Sequence, residues 1–555
     1  MDSNKYTEKC MELINTNNFR KIDGDNTKDV EKSVQEALLK IKGAIGEETY
    51  QQIYPSGSNP GKFYGTAKVH KLKSTDQDKI SKLPIRPIVS NIGTATHKTA
   101  QYLSKLLSPL AKSKYTIENT KDFVNKIQKM KVPNGFKLIS FDVVSLFTNV
   151  PLNATIDIIL RKIYVEKLIK TKIKRKNMKE LLLLCTKEVP FSFNGEIYMQ
   201  IDDVMMGSLL GPLFANIFMC ELENHVIPRL AHKLNNWVRY VDDTFALVRE
   251  GEEKYVQEEL NSFHLNIQFT YELEDDGKIS FLDVLITKTD TNGSLEKSVS
   301  RKSSNTDIYM NWKSHAPQVW KIATLKSLIK RAVLISSTDS ALESELEHLK
   351  KVFCELNDYP PALAEKIILD ERESAQSQPI QDPEESESEQ TENIQLALNL
   401  PYAGDKGEKI IKKMQNFMKK TVNTESKKLE LRTTYRSTRL NARFNIKDKT
   451  KPEHLHNVVY YVPCPNKKCK DDYIGETKRR TEKRSDEHRS KDKKSHVLQH
   501  SEKTKHKRVS LKDFKILGKG YRSNFRRKIS ESLFIKRLKP KLNVQKESYK
   551  LALFN

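Results

Sequence analysis

Two aspartates stand side by side in Trp237-Val-Arg-Tyr-Val-Asp-Asp-Thr-Phe-Ala-Leu-Val248, between two short runs of β-branched and aromatic residues. Flanks of that kind predict a hairpin with Asp242 and Asp243 at its tip. Adjacent carboxylates repel each other, and a divalent cation on oxygen ligands, Mg2+ above all, relieves the repulsion. An isolated Asp-Asp is more simply a solvated acidic turn. About a hundred residues upstream, however, Lys137-Leu-Ile-Ser-Phe-Asp142-Val-Val-Ser-Leu-Phe147 is a second strand pattern carrying a lone acid. Three acids on neighbouring strand ends can hold two metal ions for in-line phosphoryl transfer.

A second group of chemically capable residues lies near the C-terminus. Asn457-Val-Val-Tyr460-Tyr-Val-Pro-Cys464 and Asp472-Tyr473-Ile-Gly475-Glu-Thr477 are short strand patterns, each bearing a tyrosine. Arg484 and His488 follow on one face of a helix-like run, and Glu531 opens a later one. Taken singly, each is more simply a packed Tyr or a surface Arg; the ordered set points to catalysis. Interleaved with them, Cys464-x4-Cys469 precedes His500-x5-His506, with a further histidine at His496. Two thiolates and two imidazoles can close a tetrahedral zinc site, here at looser spacing than a Cys-x2-Cys finger. The plainer alternative is two spare thiols and solvated histidines.

Phe141-Asp142-Val143, the Gly207-Ser208 segment and Tyr240-Val-Asp-Asp243 resemble, in order and spacing, three successive motifs of a reverse transcriptase palm. The wording around them is similar to Penelope-like retroelements, relatives of telomerase. This resemblance implies an α+β right hand of fingers, palm and thumb, with Asp142, Asp242 and Asp243 positioning two Mg2+ ions. It places Lys68, Lys71 and Arg86 on the fingers, with Arg86 gripping the triphosphate. Phe147 would stack beneath the incoming sugar and exclude a 2′-hydroxyl. Gly207 would let template and nucleotide approach the backbone closely, and Leu209 stands where the family usually has proline. Lys278, just after the Asp275-Asp276-Gly277 turn, would donate a proton to pyrophosphate, with Asp283 structural and Asn305 to Pro317 forming a primer grip.

The C-terminal set is similar to a GIY-YIG endonuclease, read as Val458-Val459-Tyr460 and Tyr473-Ile474-Gly475, with Val458 in place of the first glycine. That implies one divalent cation, Mg2+ or Mn2+, on Glu531, with water and scaffold roles for Tyr460 and Tyr473. Arg484 would stabilise charge on the phosphate, His488 would assist proton transfer, and Asn543 matches a late Asn of the family. Penelope-like endonucleases tend to carry an inserted Cys-Cys-His-His set, which implies zinc on Cys464, Cys469, His500 and His506.

At 555 residues the chain should form several units. The expected order is a helical N-terminal extension (1–60), reverse transcriptase fingers and palm (61–317) and thumb-like helices (318–368). An acidic disordered linker (369–398), a basic connector (399–455) and a small α/β nuclease domain (456–555) follow. The linker rests on Asp370 to Glu392, with nine acids, one base and almost nothing apolar to bury. Residues 401–555 carry 44 basic against 17 acidic side chains, whereas residues 1–400 carry 53 against 55. Such a basic third calls for a polyanionic partner, nucleic acid before membrane. There is no signal-peptide pattern and no apolar run of about 18 residues. Six cysteines, most of them far apart, fit a reducing compartment.

The expectation is therefore an RNA-directed DNA polymerase fused to a DNA endonuclease, acting in target-primed retrotransposition. Its partners would be an RNA template, a DNA primer or target and deoxynucleoside triphosphates, in the nucleus and without a membrane. The stretch before the fingers is short for the family, which fits an N-terminally truncated reading frame. Two rivals stand beside this: a catalytically inactive or host-adopted nucleic-acid-binding derivative, and a telomere-end polymerase without cleavage.

Overall fold

The computed structural model describes residues 2–15, 19–68, 83–187, 189–200, 207–289, 293–302, 304–377, 392–422, 427–436, 447–521 and 523–544. The fold is mixed α+β and divides into two compact units, each assembled from separated stretches of chain. Met1–Lys112, Ser145–Glu221 and Ile446–Asn555 make the first, and Ser113–Val144 with Leu222–Asn445 the second.

The first unit holds a five-stranded sheet in the order Phe19–Lys21, Glu196–Gln200, Pro190–Phe193, Gly61–Ala67, Ile85–Ser90. Asn194 and Gly195 turn one of its hairpins with both residues at positive φ (51° and 82°), the type I′ geometry that Asn-Gly favours. Pro87 has no amide hydrogen to give a neighbour, and its strand lies at the sheet edge. Phe63, Phe191 and Phe193 pack together with Cys10, Ile14 and Val89 to close the core. The expected helical extension is helical only in part, because Phe19–Lys21 pairs with Glu196–Gln200. Phe19 draws that segment in by packing edge-on against Phe63 and Phe191.

The C-terminal stretch belongs to the same unit. A three-stranded antiparallel sheet, in the order Asp472–Thr477, Val458–Pro463, Lys515–Gly518, is joined by the helices Thr481–Asp486, His496–Thr504 and Asn524–Leu538. Buried Arg480 donates to the Ser58 carbonyl from Nε (2.8 Å) and Nη2 and lies 3.6 Å from Asp25. Gly57, at φ +74°, makes the approach possible: a Cβ there would sit 2.9 Å from the Arg480 amide nitrogen. Lys62 reaches the Asp448 carbonyl and the Thr450 hydroxyl (2.8 Å). The end of the expected basic connector is thus packed structure, held by these contacts.

The second unit is built on a four-stranded antiparallel sheet in the order Leu234–Tyr240, Asp243–Arg249, Phe136–Val143, Phe269–Leu273. One face carries Leu138, Phe245 and Leu247, which pack with Phe123 of the Thr120–Ile127 helix and with Phe281, Val284 and Ile286 of a second, three-stranded sheet. The run from Ile279 to Ile286 lies in the hairpin Lys278–Phe281 and Val284–Lys288, folded back at Leu282 (φ 54°). Three helices, Gln318–Ile335, Asp339–Lys351 and Pro361–Ser377, share a core of Leu325, Ile329, Leu349, Phe353 and Tyr359.

Two expected boundaries need correction. The Pro361–Ser377 helix continues eight residues past 369, into the segment expected as disordered, because Glu371 is buried against Lys326 (2.7 Å) and Lys330 (3.5 Å). Arg372 adds a pair with Glu343 (2.6 Å). Residues 378–391, the heart of the expected linker, lie outside the described residues. Beyond them Glu392–Pro401 and Lys427–Arg436 pair in parallel around the Gly404–Val422 helix, so much of the expected connector is a strand–helix–strand unit.

Candidate functional site

Asp142 is the penultimate residue of the Phe136–Val143 strand and pairs in register with Asp243, the first residue of the next strand. Opposed residues on one sheet face are close neighbours, and Asp242 precedes Asp243 directly. Three acids from two adjacent strands therefore meet at one sheet end. The consequence is visible in Asp243, whose carboxyl is pushed up to about 6 by desolvation and by the charges of Asp242 and Asp142, against a weaker pull from Lys302. Thr244 ties the two strands behind the acids by donating to the Phe141 carbonyl (2.9 Å). Under the sheet Phe141 packs on Trp237, Phe269 and Tyr271.

The turn that presents the pair is strained. Val241 has φ 58°, a region that β-branched residues avoid and that costs on the order of 1–3 kcal/mol. A buried strut holds it there. Arg239 donates from Nη1 to the Val241 carbonyl (2.9 Å) while its Nε and Nη2 grip Glu223 (2.6 and 3.2 Å). Glu223 also accepts from Trp237 Nε1 (3.1 Å) and Ser113 Oγ (3.0 Å), and both members of the ion pair are fully buried. Breaking such a pair strands a charge, so Glu223→Ala is expected to cost about 3–5 kcal/mol, read as a lowered denaturant midpoint. The compensated pair Glu223→Leu with Arg239→Met should recover part of that stability.

Arg86, Phe147 and Gly207 lie in the first unit. Arg86 is exposed on the edge strand opposite Thr66, and Phe147 is half-buried in the short Leu146–Asn149 helix. Gly207, at φ +108°, presses on the same edge strand so tightly that a Cβ would lie 2.2 Å from the Val89 carbonyl oxygen. Lys68 ends the neighbouring strand segment, donating to the Pro84 carbonyl (2.9 Å) through its amide. Lys71 lies outside the described residues.

The C-terminal residues converge on buried Tyr460. Its hydroxyl lies 2.8 Å from His488 Nε2 and receives a hydrogen bond from Arg484 Nε (2.9 Å). Tyr473 packs on both rings, with centroids 6.4 Å from Tyr460 and 5.4 Å from His488. Tyr460 pairs in register with Gly475, where a Cβ would lie 2.5 Å from the Tyr460 hydroxyl and 2.7 Å from Tyr473. That glycine is what lets both tyrosines occupy the same space. Glu531, buried on the Asn524–Leu538 helix, is near enough for its charge to oppose ionisation of Tyr460 and Tyr473. Burial raises both phenols first of all. His488 is held down to about 3 by burial and by Arg484, so its imidazole is neutral. Arg484 also pairs with Glu487 (2.9 Å), and Asn543 brackets Ile474 from both its amide oxygen (2.8 Å) and nitrogen (2.7 Å).

Cys464, Cys469, His500 and His506 gather with their ligand atoms all within 4.8 Å of one another. Cys464 Sγ is 3.3 Å from His506 Nδ1 and Cys469 Sγ 3.6 Å from His500 Nε2. The other nitrogen of His500 faces Asp471 (3.6 Å), as a carboxylate behind a metal-bound imidazole does. This donor set fits one tetrahedral zinc ion; His496 is not in it.

Four participants escape the sequence pattern: Glu223 and Arg239 behind the acidic turn, Glu487 against Arg484 (2.9 Å), and Ser495, whose Oγ lies 2.6 Å from His488 Nδ1. Arg239 leaves one signal, a cation inside an apolar strand between Trp237 and Phe245, which demands a buried partner.

A family model described as the animal helix-turn-helix domain matches residues 308–369, the stretch holding the helices after Pro317. No curated protein matches the chain. Among solved structures, telomerase from Candida albicans with a fragment of telomeric RNA is similar at 12% identity, covering 67% of this chain and 65% of that one, with a TM-score of 0.40. Apo telomerase from Candida tropicalis is 14% identical over 64% of each chain (TM-score 0.36). The RNA-dependent RNA polymerase of a human picobirnavirus is 14% identical over 67% and 74% (TM-score 0.34). The chain thus spans less than two thirds of the length of the two telomerases. Among the described residues no helix is long and apolar enough to cross a membrane.

Proposed function

We propose that this protein is an RNA-directed DNA polymerase joined to a DNA endonuclease of the GIY-YIG kind, working in the target-primed cycle of a Penelope-like retroelement. The observation that carries the polymerase reading is Asp142 opposed to Asp243 beside Asp242 at one sheet end. A carboxyl raised to about 6 by desolvation and by its acidic neighbours is a standing cost in a protein that only binds nucleic acid. The same cluster suits two Mg2+ ions on Asp142, Asp242 and Asp243. When bound, they neutralise the triphosphate and make the primer 3′-hydroxyl a better nucleophile. On the chain's own side, the Arg239–Glu223 strut fixes the Val241 turn and so the spacing of the acids.

For the nuclease, Glu531 would hold one divalent cation, which supplies charge for the scissile phosphate. Arg484 turns its guanidinium toward the same tyrosines, Tyr460 fixes the attacking water and Tyr473 walls the site. A nick would leave a DNA 3′ end for the polymerase to extend on RNA, chemistry on chromosomal DNA that would belong in the nucleus. The deciding experiment is extension of a DNA primer on an RNA template by the full chain with Mg2+ and deoxynucleoside triphosphates. Absence of template-dependent products would end this reading.

Zinc on the four Cys and His residues would be structural, a closed site with no open position for substrate. The purified chain should carry about one zinc per molecule by elemental analysis, lost in Cys464→Ser with Cys469→Ser. Chelation should lower its thermal midpoint.

A further inference from the structure

We propose that Ser495 is a positioning residue of the nuclease site, fixing His488 as a hydrogen-bond donor to Tyr460. The inference rests on the nuclease reading above and names a residue that reading did not use.

Ser495 is buried and caps the His496–Thr504 helix: its Oγ accepts from the Leu498 amide (3.3 Å). The same oxygen lies 2.6 Å from His488 Nδ1, itself buried. A serine hydroxyl has one proton and two lone pairs. The helix amide takes one lone pair; accepting from Nδ1–H with the other would leave the buried hydroxyl proton unmatched, whereas donating it to His488 Nδ1, the acceptor within reach among the described contacts, satisfies it. A neutral imidazole that accepts at Nδ1 carries its hydrogen on Nε2. That hydrogen points at the Tyr460 hydroxyl, 2.8 Å away. Arg484 Nε donates to the same oxygen, so Tyr460 receives two hydrogen bonds. The phenol then keeps its own proton, with His488 supporting it as a donor rather than taking that proton. The helix that Ser495 caps also carries His500 of the Cys/His cluster, so the orienting hydroxyl is set by the element that cluster anchors.

The test uses the full chain in four forms: wild type, Ser495→Ala, Ser495→Thr and Ser495→Asp. Threonine keeps cap and hydroxyl. Aspartate keeps a cap acceptor but offers only acceptors to Nδ1, which forces the hydrogen onto Nδ1. With 15N-labelled histidine, the His488 resonances, assigned by loss in His488→Gln, should show a protonated Nε2 in wild type and Ser495→Thr. Ser495→Asp should show a protonated Nδ1. In nicking of supercoiled DNA, kcat should fall about 10²-fold in Ser495→Ala and Ser495→Asp with KM unchanged, and be restored in Ser495→Thr. A protonated Nδ1 in wild type overturns the proposal, as does a tautomer switch that leaves kcat untouched. A wild type that cleaves nothing removes the nuclease reading and this proposal with it, whereas cleavage with the opposite tautomer removes this proposal alone.

Discussion

Asp242→Ala is expected to lower extension of a DNA primer on RNA by about 10³-fold or more, since removing a metal-bound carboxylate forfeits several kcal/mol of charge stabilisation. Nicking of supercoiled DNA by the same variant should persist. The neighbouring Asp243→Asn makes the sharper companion, because activity and stability should move in opposite directions. Without metal, desolvation and the charges of Asp242 and Asp142 push the Asp243 carboxyl up to about 6, above the usual carboxylate range. A raised folded pKa favours the fold in acid; that advantage fades as pH climbs from about 4 to about 6, and the full cost is present at neutral pH. Asp243→Asn removes it. Because the residue is partly exposed, the gain is about 1 kcal/mol after screening, or about 2–4 °C in thermal midpoint at pH 7 without Mg2+. Added Mg2+ should close the gap by stabilising wild type and leaving the variant unmoved. A wild type indifferent to Mg2+, matched by an unchanged midpoint in the variant, would show that the three acids do not form one cation site.

The second large effect is at Glu531. Glu531→Ala should lower nicking by about 10³-fold, because Glu531 is the buried carboxylate whose charge bears on both tyrosines. Glu531→Gln is the fold-preserving control. It keeps size and hydrogen bonding while losing the charge, and it should be as inactive as alanine in nicking. Full nicking by Glu531→Gln would move the metal-binding role elsewhere. Supplying a pre-nicked target should restore primer extension to the Glu531 variants but not to Asp242→Ala, which separates the two chemistries on one chain.

Much of the candidate site was legible because its signals are local. Two β-branched runs around Asp242 and Asp243 already imply a hairpin tip, and Asn194-Gly195 already implies its turn. Spacing alone puts Arg484 and His488 on one helical face. What escaped depends on distant partners. Nothing near Arg239 names Glu223 as the other half of its ion pair, and nothing near Ser495 says that a helix cap will also face a histidine ring. The run from Ile279 to Ile286 is apolar enough for one continuous strand, yet its halves pair with each other because Leu282 adopts a left-handed conformation that its residue type disfavours. Composition misjudged residues 369–377 and 392–436 for the same reason. Glu371 counts as one more linker acid until two lysines of another helix close over it. Strand pairing between Glu392–Pro401 and Lys427–Arg436 is likewise invisible to a count of charges.

The first unit is interrupted in sequence: after Lys112 and Glu221 it waits for residue 446 before its last stretch exists. At ribosomal speeds of about 5–20 residues per second, the opening 112 residues leave the ribosome roughly 20–70 s before residue 446 is made. Until then the Ser58 carbonyl has no Arg480 and the Lys62 ammonium has no Asp448 or Thr450 to reach. A chain stopped short of that final segment is therefore an unfinished body with an open socket rather than a smaller working protein. Supplying the missing piece as a separate polypeptide is the natural way to rescue it.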